Sequence, residues 1–263
     1  MFLENSVAVV TGGGQGIGRD ISLCLARHGA SVVIADINEQ TSLETKQLIE
    51  SACHAKALCL HLDVTNEDSV ADGFREIKKT FGKLNILVNN SGVAGPMGPT
   101  ENISLAAWQK ANAINLDGVF LMCKYGIPLL RESSSERQGN IVNISSVSAK
   151  RALIERASYC SAKAAIIGLT RSLALECGQW NIRVNTVCPG AVDGPRQRMI
   201  IQHAAEAQHR NFEDVEREKK RASPLNTFVP PTSIADVVAF LCSDAASMMT
   251  GQDINVSAGA WMC

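Results

Sequence analysis

Val7-Ala8-Val9-Val10-Thr11-Gly12-Gly13-Gly14-Gln15-Gly16-Ile17-Gly18 is the stretch that decides the fold. Val7 to Thr11 is a short apolar run rich in β-branched residues, as in a strand buried on both faces. The glycines follow at once, and Arg19 to His28 then reads as a helix with apolar Ile21, Leu23, Cys24 and Leu25, closed by Gly29. Ser31-Val32-Val33-Ile34-Ala35-Asp36 is a second buried strand that ends in a carboxylate. Strand, glycine loop, helix, strand and acid in this order make a dinucleotide-binding βαβ unit. The glycines let the backbone approach a pyrophosphate, which the helix N-terminus then holds. The bland alternative is a glycine-rich turn with no ligand. Asp36 lies 18 residues past Gly18, and no Arg or Lys occurs in the nine residues after it. A carboxylate there accepts hydrogen bonds from ribose hydroxyls and repels a 2′-phosphate, so the expected cofactor is NAD rather than NADP.

Composition narrows the classes around this unit. The chain has 263 residues, 46% hydrophobic and 19% charged, which suits one large α/β domain or at most two small ones. A net charge of -1 supplies no bulk attraction to nucleic acid or an anionic membrane. No apolar run reaches the roughly 18–20 residues of a membrane span, and Met1 to Asn5 lacks the basic and apolar regions of a signal peptide. The nine cysteines are scattered at 24, 53, 59, 123, 160, 177, 188, 242 and 263, with no Cys-x-x-Cys. Reduced core thiols of a cytoplasmic protein are expected, without disulfides. The histidines at 28, 54, 61, 203 and 209 show no metal-ligand spacing, and no metal is expected.

Strand and helix patterns continue along the chain. Residues 39–52 suit a polar helix, and Lys56 to Val64 reads as a third strand. Thr65-Asn66-Glu67-Asp68 resembles an N-cap with an acidic first turn, opening a helix that runs toward Phe81-Gly82. Asp63 suits either adenine contact or capping of that helix. Leu84 to Asn89 is a fourth strand running into the turn Asn90-Ser91-Gly92, and Trp108 to Leu130 is a long helical stretch. Asn115 interrupts its apolar pattern and has either a functional role or a structural hydrogen bond to backbone. Asn140 to Ser146 is a fifth strand ending in two hydroxyls, and Ile182 to Gly190 a sixth strand with its turn. Residues 191–232 turn polar and charged and read as two short helices, a lid-like insertion over about 191–225. Ser233 to Leu241 is a helix, and Gln252 to Val256 the last strand.

The chain has two tyrosines. Tyr159 lies four residues before Lys163, a spacing that puts both side chains on one helix face. An ammonium beside a phenol favours phenolate, which lets a tyrosine act as an acid/base near neutral pH. The competing reading is an ordinary polar pair on a helix surface. Ser146 precedes Tyr159 by 13 residues, enough for a loop to bring its hydroxyl beside the phenol.

Taken together these motifs resemble a classical short-chain dehydrogenase/reductase. Thr11-Gly12-x-x-x-Gly16-Ile17-Gly18, Asp36, Asp63-Val64, Asn89-Asn90-Ser91-Gly92, Asn115, Ser146, Tyr159-x-x-x-Lys163 and Pro189-Gly190 fall in family order over nearly the whole chain. The resemblance implies an α/β, Rossmann-type doubly wound parallel sheet of about seven strands, three layers deep, in a single domain spanning residues 1–263. It implies Tyr159 as acid/base and Lys163 as the group that lowers its pKa and holds the nicotinamide ribose. Ser146 would bind the carbonyl or alkoxide oxygen, and Asn115 would hold a relay water. The cofactor would contact Gly12, Gln15, Gly16, Ile17, Gly18, Asp36, Ile37, Asp63, Val64, Asn90, Ser91, Gly92, Tyr159, Lys163, Pro189, Gly190 and Val192. Two departures stand out. Ser91 replaces the usual Ala of the Asn-Asn-Ala-Gly turn, and Ala191-Val192-Asp193 follows Pro189-Gly190 where many members carry a nicotinamide-binding Thr, leaving the Val192 backbone to serve alone.

The implied activity is NAD-dependent interconversion of a secondary alcohol and a ketone, in a cytoplasmic homotetramer. The alternatives are an NADP-dependent 3-oxoacyl-type reductase and a non-catalytic nucleotide-binding regulator on the same fold. Loops 93–101, 147–156 and 191–225 would read the substrate. They carry Arg151, Arg156, Arg196 and Arg198. Guanidinium pairs hold carboxylates bidentately, so Arg151 and Arg196 are the substrate candidates for a polyol, hydroxy acid or other anion. Solvation, or pairing with Glu155 and Asp193, is the alternative for these arginines. The apolar end, Ala260-Trp261-Met262-Cys263, suits burial against another subunit or against its own chain.

Overall fold

The computed structural model describes residues 1–53, 55–135 and 137–262. His54 and Cys263 lie outside the described residues, so the readings made of them are not addressed by it. The chain forms β1 (Val7–Thr11), α1 (Gly16–Arg27), β2 (Ser31–Asp36), α2 (Glu39–Ala52), β3 (Ala57–His61), α3 (Glu67–Phe81) and β4 (Ile86–Asn89). It continues with α4 (Leu105–Asn112), α5 (Gly118–Ser133), β5 (Gly139–Ile144), α6 (Ala157–Cys177) and β6 (Ile182–Pro189). Then come α7 (Pro195–Ala207), α8 (Phe212–Arg221), α9 (Pro231–Leu241) and β7 (Asp253–Val256).

Seven strands form one sheet in the order β3-β2-β1-β4-β5-β6-β7. Every pair is parallel; Val9 of β1 lies level with Val33 on one side and Leu87 on the other. The strands β1, β4 and β5 are buried along their whole length because helices cover both faces. One face packs Val10, Ile21, Leu25 and Ile34 with Ile234 and Val238 of α9, and the other packs Leu87, Met122, Leu130 and Ile166. The chain order reverses between β2 and β4 on either side of β1. Ligands of such sheets bind beyond the carboxyl ends of the strands at that reversal.

Several boundaries differ from the sequence reading. Helix α1 begins at Gly16, not Arg19, because the glycines that shape the loop also enter the first turn. Strand β3 stops at His61, so Asp63 and Val64 lie in the following connection. The long helical stretch is continuous from Leu105 to Ser133, 29 residues, but Ala113–Asp117 is a π turn that divides α4 from α5. This helix is long and apolar enough to cross a bilayer by length and composition alone; here it lies on the sheet with Met122, Cys123, Leu129 and Leu130 in the core. The eight described cysteines are unpaired, and six are buried. The polar stretch after β6 forms two short helices, α7 and α8, packed on each other through Ile201, Ala205 and Val215.

Candidate active site

The glycine loop closes onto its neighbours with little room to spare. Gly12 has φ +61° and Gly16 φ +55°, backbone angles that a side chain rarely tolerates. A Cβ on Gly18 would lie 2.0 Å from the Gly12 carbonyl oxygen, so only glycine permits this approach of α1 to the loop. Gln15 caps α1 without a side-chain hydrogen bond, and the first turn holds no acid, which leaves the positive helix end for an anion. Asp36 accepts from the Gly14 amide at 3.0 Å through Oδ2 and from the Asn38 amide at 3.0 Å through Oδ1. The carboxylate thus stands at the rim of the loop. Ile37 beside it is exposed. A cradle closed to any side chain, an open helix N-terminus and a carboxylate at its rim fit a dinucleotide.

The turn after β4 is tied to this loop. Asn90 donates its side-chain amide to the Thr11 carbonyl at 2.9 Å, and the Thr11 hydroxyl accepts from the amides of Asn90 at 2.9 Å and Ser91 at 3.0 Å. A Cβ on Gly92 would meet Asn115 Oδ1 at 3.0 Å and Lys163 Nζ at 3.4 Å. The turn therefore runs from the glycine loop directly to Asn115 and Lys163.

Lys163 is buried on α6 and donates Nζ to the Ile144 carbonyl at 2.9 Å, at the end of β5. Burial, and then the Arg196 guanidinium, push its pKa down to about 8. Its Nζ lies 5.9 Å from the centre of the Tyr159 ring, one turn earlier on the helix. The ring is half-buried, and among the described residues no group hydrogen-bonds the phenol hydroxyl. Ser146 is buried beyond the end of β5, and its Oγ accepts from the Ser148 amide at 3.1 Å. That bond fixes the oxygen while the hydroxyl proton keeps no acceptor among the described residues.

Other expected residues take different places. Asn115 sits in the π turn, fully buried, accepting from the Val93 amide at 2.9 Å and donating to the Val93 carbonyl at 3.1 Å. Both ends of its side chain bond the backbone of Val93, which ties the π turn to the turn after β4. Asp63 accepts from the Thr65 amide at 2.9 Å and hydroxyl at 2.8 Å, which makes it a turn-closing residue ahead of α3. Val64 is buried against Gly118. Gly190 passes so close to Ser257 that a Cβ would lie 2.8 Å from its Cα. Val192 bridges Val229 through the carbonyl of Ala191 and the amide of Asp193, so its own amide and carbonyl stay outside that bridge.

The loop arginines take different places. Arg151 stands over the Trp261 ring at 5.9 Å, drawn to the indole of the C-terminal segment instead of the phenol. Arg156 and Arg196 are the arginines at Tyr159, 5.3 and 5.8 Å from its ring centre. Arg156 directly precedes α6, a position in the chain that could have marked it. Trp261 is held by its own chain, its amide donating to Ser257 Oγ at 3.3 Å, while Met262 is exposed. A cavity of about 570 Å³ opens between Phe228 to Ser233 and Asn255 to Met262, adjoining both the Val192–Val229 bridge and Trp261.

The sequence and the fold match those of known proteins. The family model described as enoyl-(acyl carrier protein) reductase matches residues 12–260. The short chain dehydrogenase/reductase astE of Aspergillus oryzae is 35% identical over 257 residues, 98% of this chain and 95% of that one. The chain is a short-chain dehydrogenase/reductase. The cis-4-hydroxycyclohexanecarboxylate dehydrogenase of Sinomonas cyclohexanicum is another relative, 37% identical over 96% of this chain and 95% of its own. The structure of NAD+-bound xylitol dehydrogenase superposes with a TM-score of 0.91 at 26% identity, covering 98% of this short-chain dehydrogenase/reductase and all of that chain. A polyketide ketoreductase of the same fold carries NADPH. The family assignment makes this chain an oxidoreductase of alcohols and ketones that uses a nicotinamide cofactor.

Proposed function

We propose that the chain is an NAD-dependent dehydrogenase/reductase that interconverts a secondary alcohol and a ketone, with Tyr159 as acid/base. The observation that carries the reading is Lys163: an ammonium buried beneath a half-exposed phenol, anchored to the end of β5 and touching the cofactor-side turn at Gly92. The bound nicotinamide supplies the hydride acceptor or donor. Everything else falls to the protein. Tyr159 takes the alcohol proton on its phenol oxygen, or returns it in the reductive direction. Lys163, positively charged below about pH 8, favours the phenolate and would hold the nicotinamide ribose. Ser146, its oxygen fixed and its proton free, donates to the carbonyl or alkoxide oxygen. Asn115 holds Val93 and with it the Gly92 turn.

Asp36 supports NAD over NADP. Its two oxygens are paired with the amides of Gly14 and Asn38, which fixes a negative charge at the rim of the glycine loop, and such a charge would repel a 2′-phosphate. The cofactor preference is measured as kcat/KM for NAD and NADP in wild type and Asp36→Asn. The substitution keeps an acceptor for Gly14 and removes the charge. A preference for NAD that falls about tenfold or more in the variant is expected. An NADP preference in wild type contradicts the reading. The name of the Sinomonas relative, a hydroxy-acid dehydrogenase, favours a carboxylate-bearing alcohol as substrate. A homotetramer is part of the same proposal, supported by exposed Leu105, Phe120 and Leu175 on α4, α5 and α6.

A further inference from the structure

Three cations surround one aromatic ring. The Arg156 guanidinium lies 5.3 Å, the Arg196 guanidinium 5.8 Å and Lys163 Nζ 5.9 Å from the centre of Tyr159. Among the described residues no carboxylate pairs with any of them; Glu155 and Asp193, the nearest acids in sequence, form no ion pair. Fixed charges of one sign at such range repel one another, and burial weakens the screening that would relieve them.

The helices around the ring add to the imbalance. Arg156 is the N-cap residue of α6 and Arg196 the second residue of α7. Neither helix has an acid in its first turn or a side-chain cap. An arginine at the positive end of a helix dipole is in the unfavourable place, since that end stabilises anions. Arg156 is nonetheless held firmly: its Nη2 donates to the Ala94 carbonyl at 3.1 Å. Its Nε is buried with no hydrogen-bond partner among the described residues. A buried, unpartnered guanidinium N–H is costly, and with Nη2 on Ala94 it leaves Nη1 as the group of Arg156 for a ligand.

We infer that Arg156 and Arg196 form an anion subsite beside Tyr159 that takes the carboxylate, or an equivalent sulfonate, of a hydroxy-acid or keto-acid substrate. This inference rests on the oxidoreductase reading and narrows its substrate class. Arg156 offers Nη1, its Nη2 being bound to the Ala94 carbonyl, and Arg196 closes from the insertion helix. The uncapped N-terminus of α1 at the glycine loop would take the dinucleotide's phosphates, leaving this cluster to another anion. The carboxylate neutralises it and places the carbinol carbon near the phenol.

The test uses a neutral and a charged form of one alcohol. NAD-dependent turnover of 3-hydroxybutyrate and other hydroxy acids is compared with that of their methyl esters, in wild type, Arg196→Ala and Arg196→Lys. The acid is expected to be preferred in kcat/KM. The acid-to-ester ratio should fall about 10- to 100-fold in Arg196→Ala, mainly through KM, and partly recover in Arg196→Lys. Calorimetric binding of the acid to the full-length protein with NAD should weaken by a similar factor. An equal loss for acid and ester, or a wild-type preference for the ester, overturns the anion subsite. Turnover of esters alone does the same while leaving the oxidoreductase reading intact. If neither form turns over while a neutral secondary alcohol does, or if the acid binds wild type and Arg196→Ala equally in the calorimetry, the anion subsite is overturned and the oxidoreductase reading stands.

Discussion

Lys163 is charged where most lysines would not be buried. Burial first, and Arg196 second, bring its pKa from 10.5 down to about 8. The unfolded chain therefore holds more protons than the folded one between about pH 8 and 10.5, and stability from this group rises with pH across that window. Below about pH 8 the buried charge is a standing cost, roughly 1.4 kcal/mol for every tenfold loss of proton affinity on folding. Lys163→Met should thus be more stable than wild type at pH 7, and its advantage should shrink as pH rises past 8. Urea unfolding of both proteins at pH 7 and pH 9.5 checks this; an advantage that grows with pH would show the sign to be wrong. The roles proposed for Tyr159, Lys163 and Ser146 start from their spacing and strand-end position, both legible in the chain. The commitment of Asn115 to Val93 was not legible, because a partner 22 residues away depends on how the π turn rotates the side chain. Arg156 was hidden for a similar reason: four loop arginines look alike until the packing of α6 and α7 selects two.

Elements are fixed by close contacts that glycine alone allows. Helix α5 reaches β4 and α3 through Gly126, where a Cβ would meet Leu87 Cδ2 at 2.9 Å and the Phe74 ring at 3.0 Å. Gly126→Val should cost about 1–3 kcal/mol by overpacking. Thermal unfolding should record a fall in Tm of roughly 2–4 °C for each kcal/mol. An unchanged Tm would show that α5 can retreat from the sheet without penalty. Most elements were readable because apolar periodicity and caps agree, as at α3, where Asn66 accepts from the Ser69 amide and Gly82 closes the helix in the left-handed region. The π turn left a weaker trace, a single Asn in an apolar run. Its backbone pattern has no propensity signature of its own, although such turns gather at functional sites.

The whole molecule follows from its parallel sheet. The reversal of strand order beside β1 puts the glycine loop, the turn after β4, the end of β5 and the start of α6 at one edge. Residues as far apart as Gly12 and Lys163 are joined there through Asn90, Ser91 and Gly92. This topology was legible because each strand is a short apolar run and each connection carries a helix. The insertion of α7 and α8, which brings Arg196 to the phenol, was readable only as two polar helices, since nothing local states where they dock. The central claim is that Tyr159 exchanges the proton while hydride moves between substrate and NAD. It is tested by following NADH formation from NAD with a panel of secondary alcohols, using wild type and Tyr159→Phe. The account predicts turnover by wild type and a loss of about 10²–10⁴-fold in the variant, with NAD still bound. Equal turnover by the two proteins would contradict it.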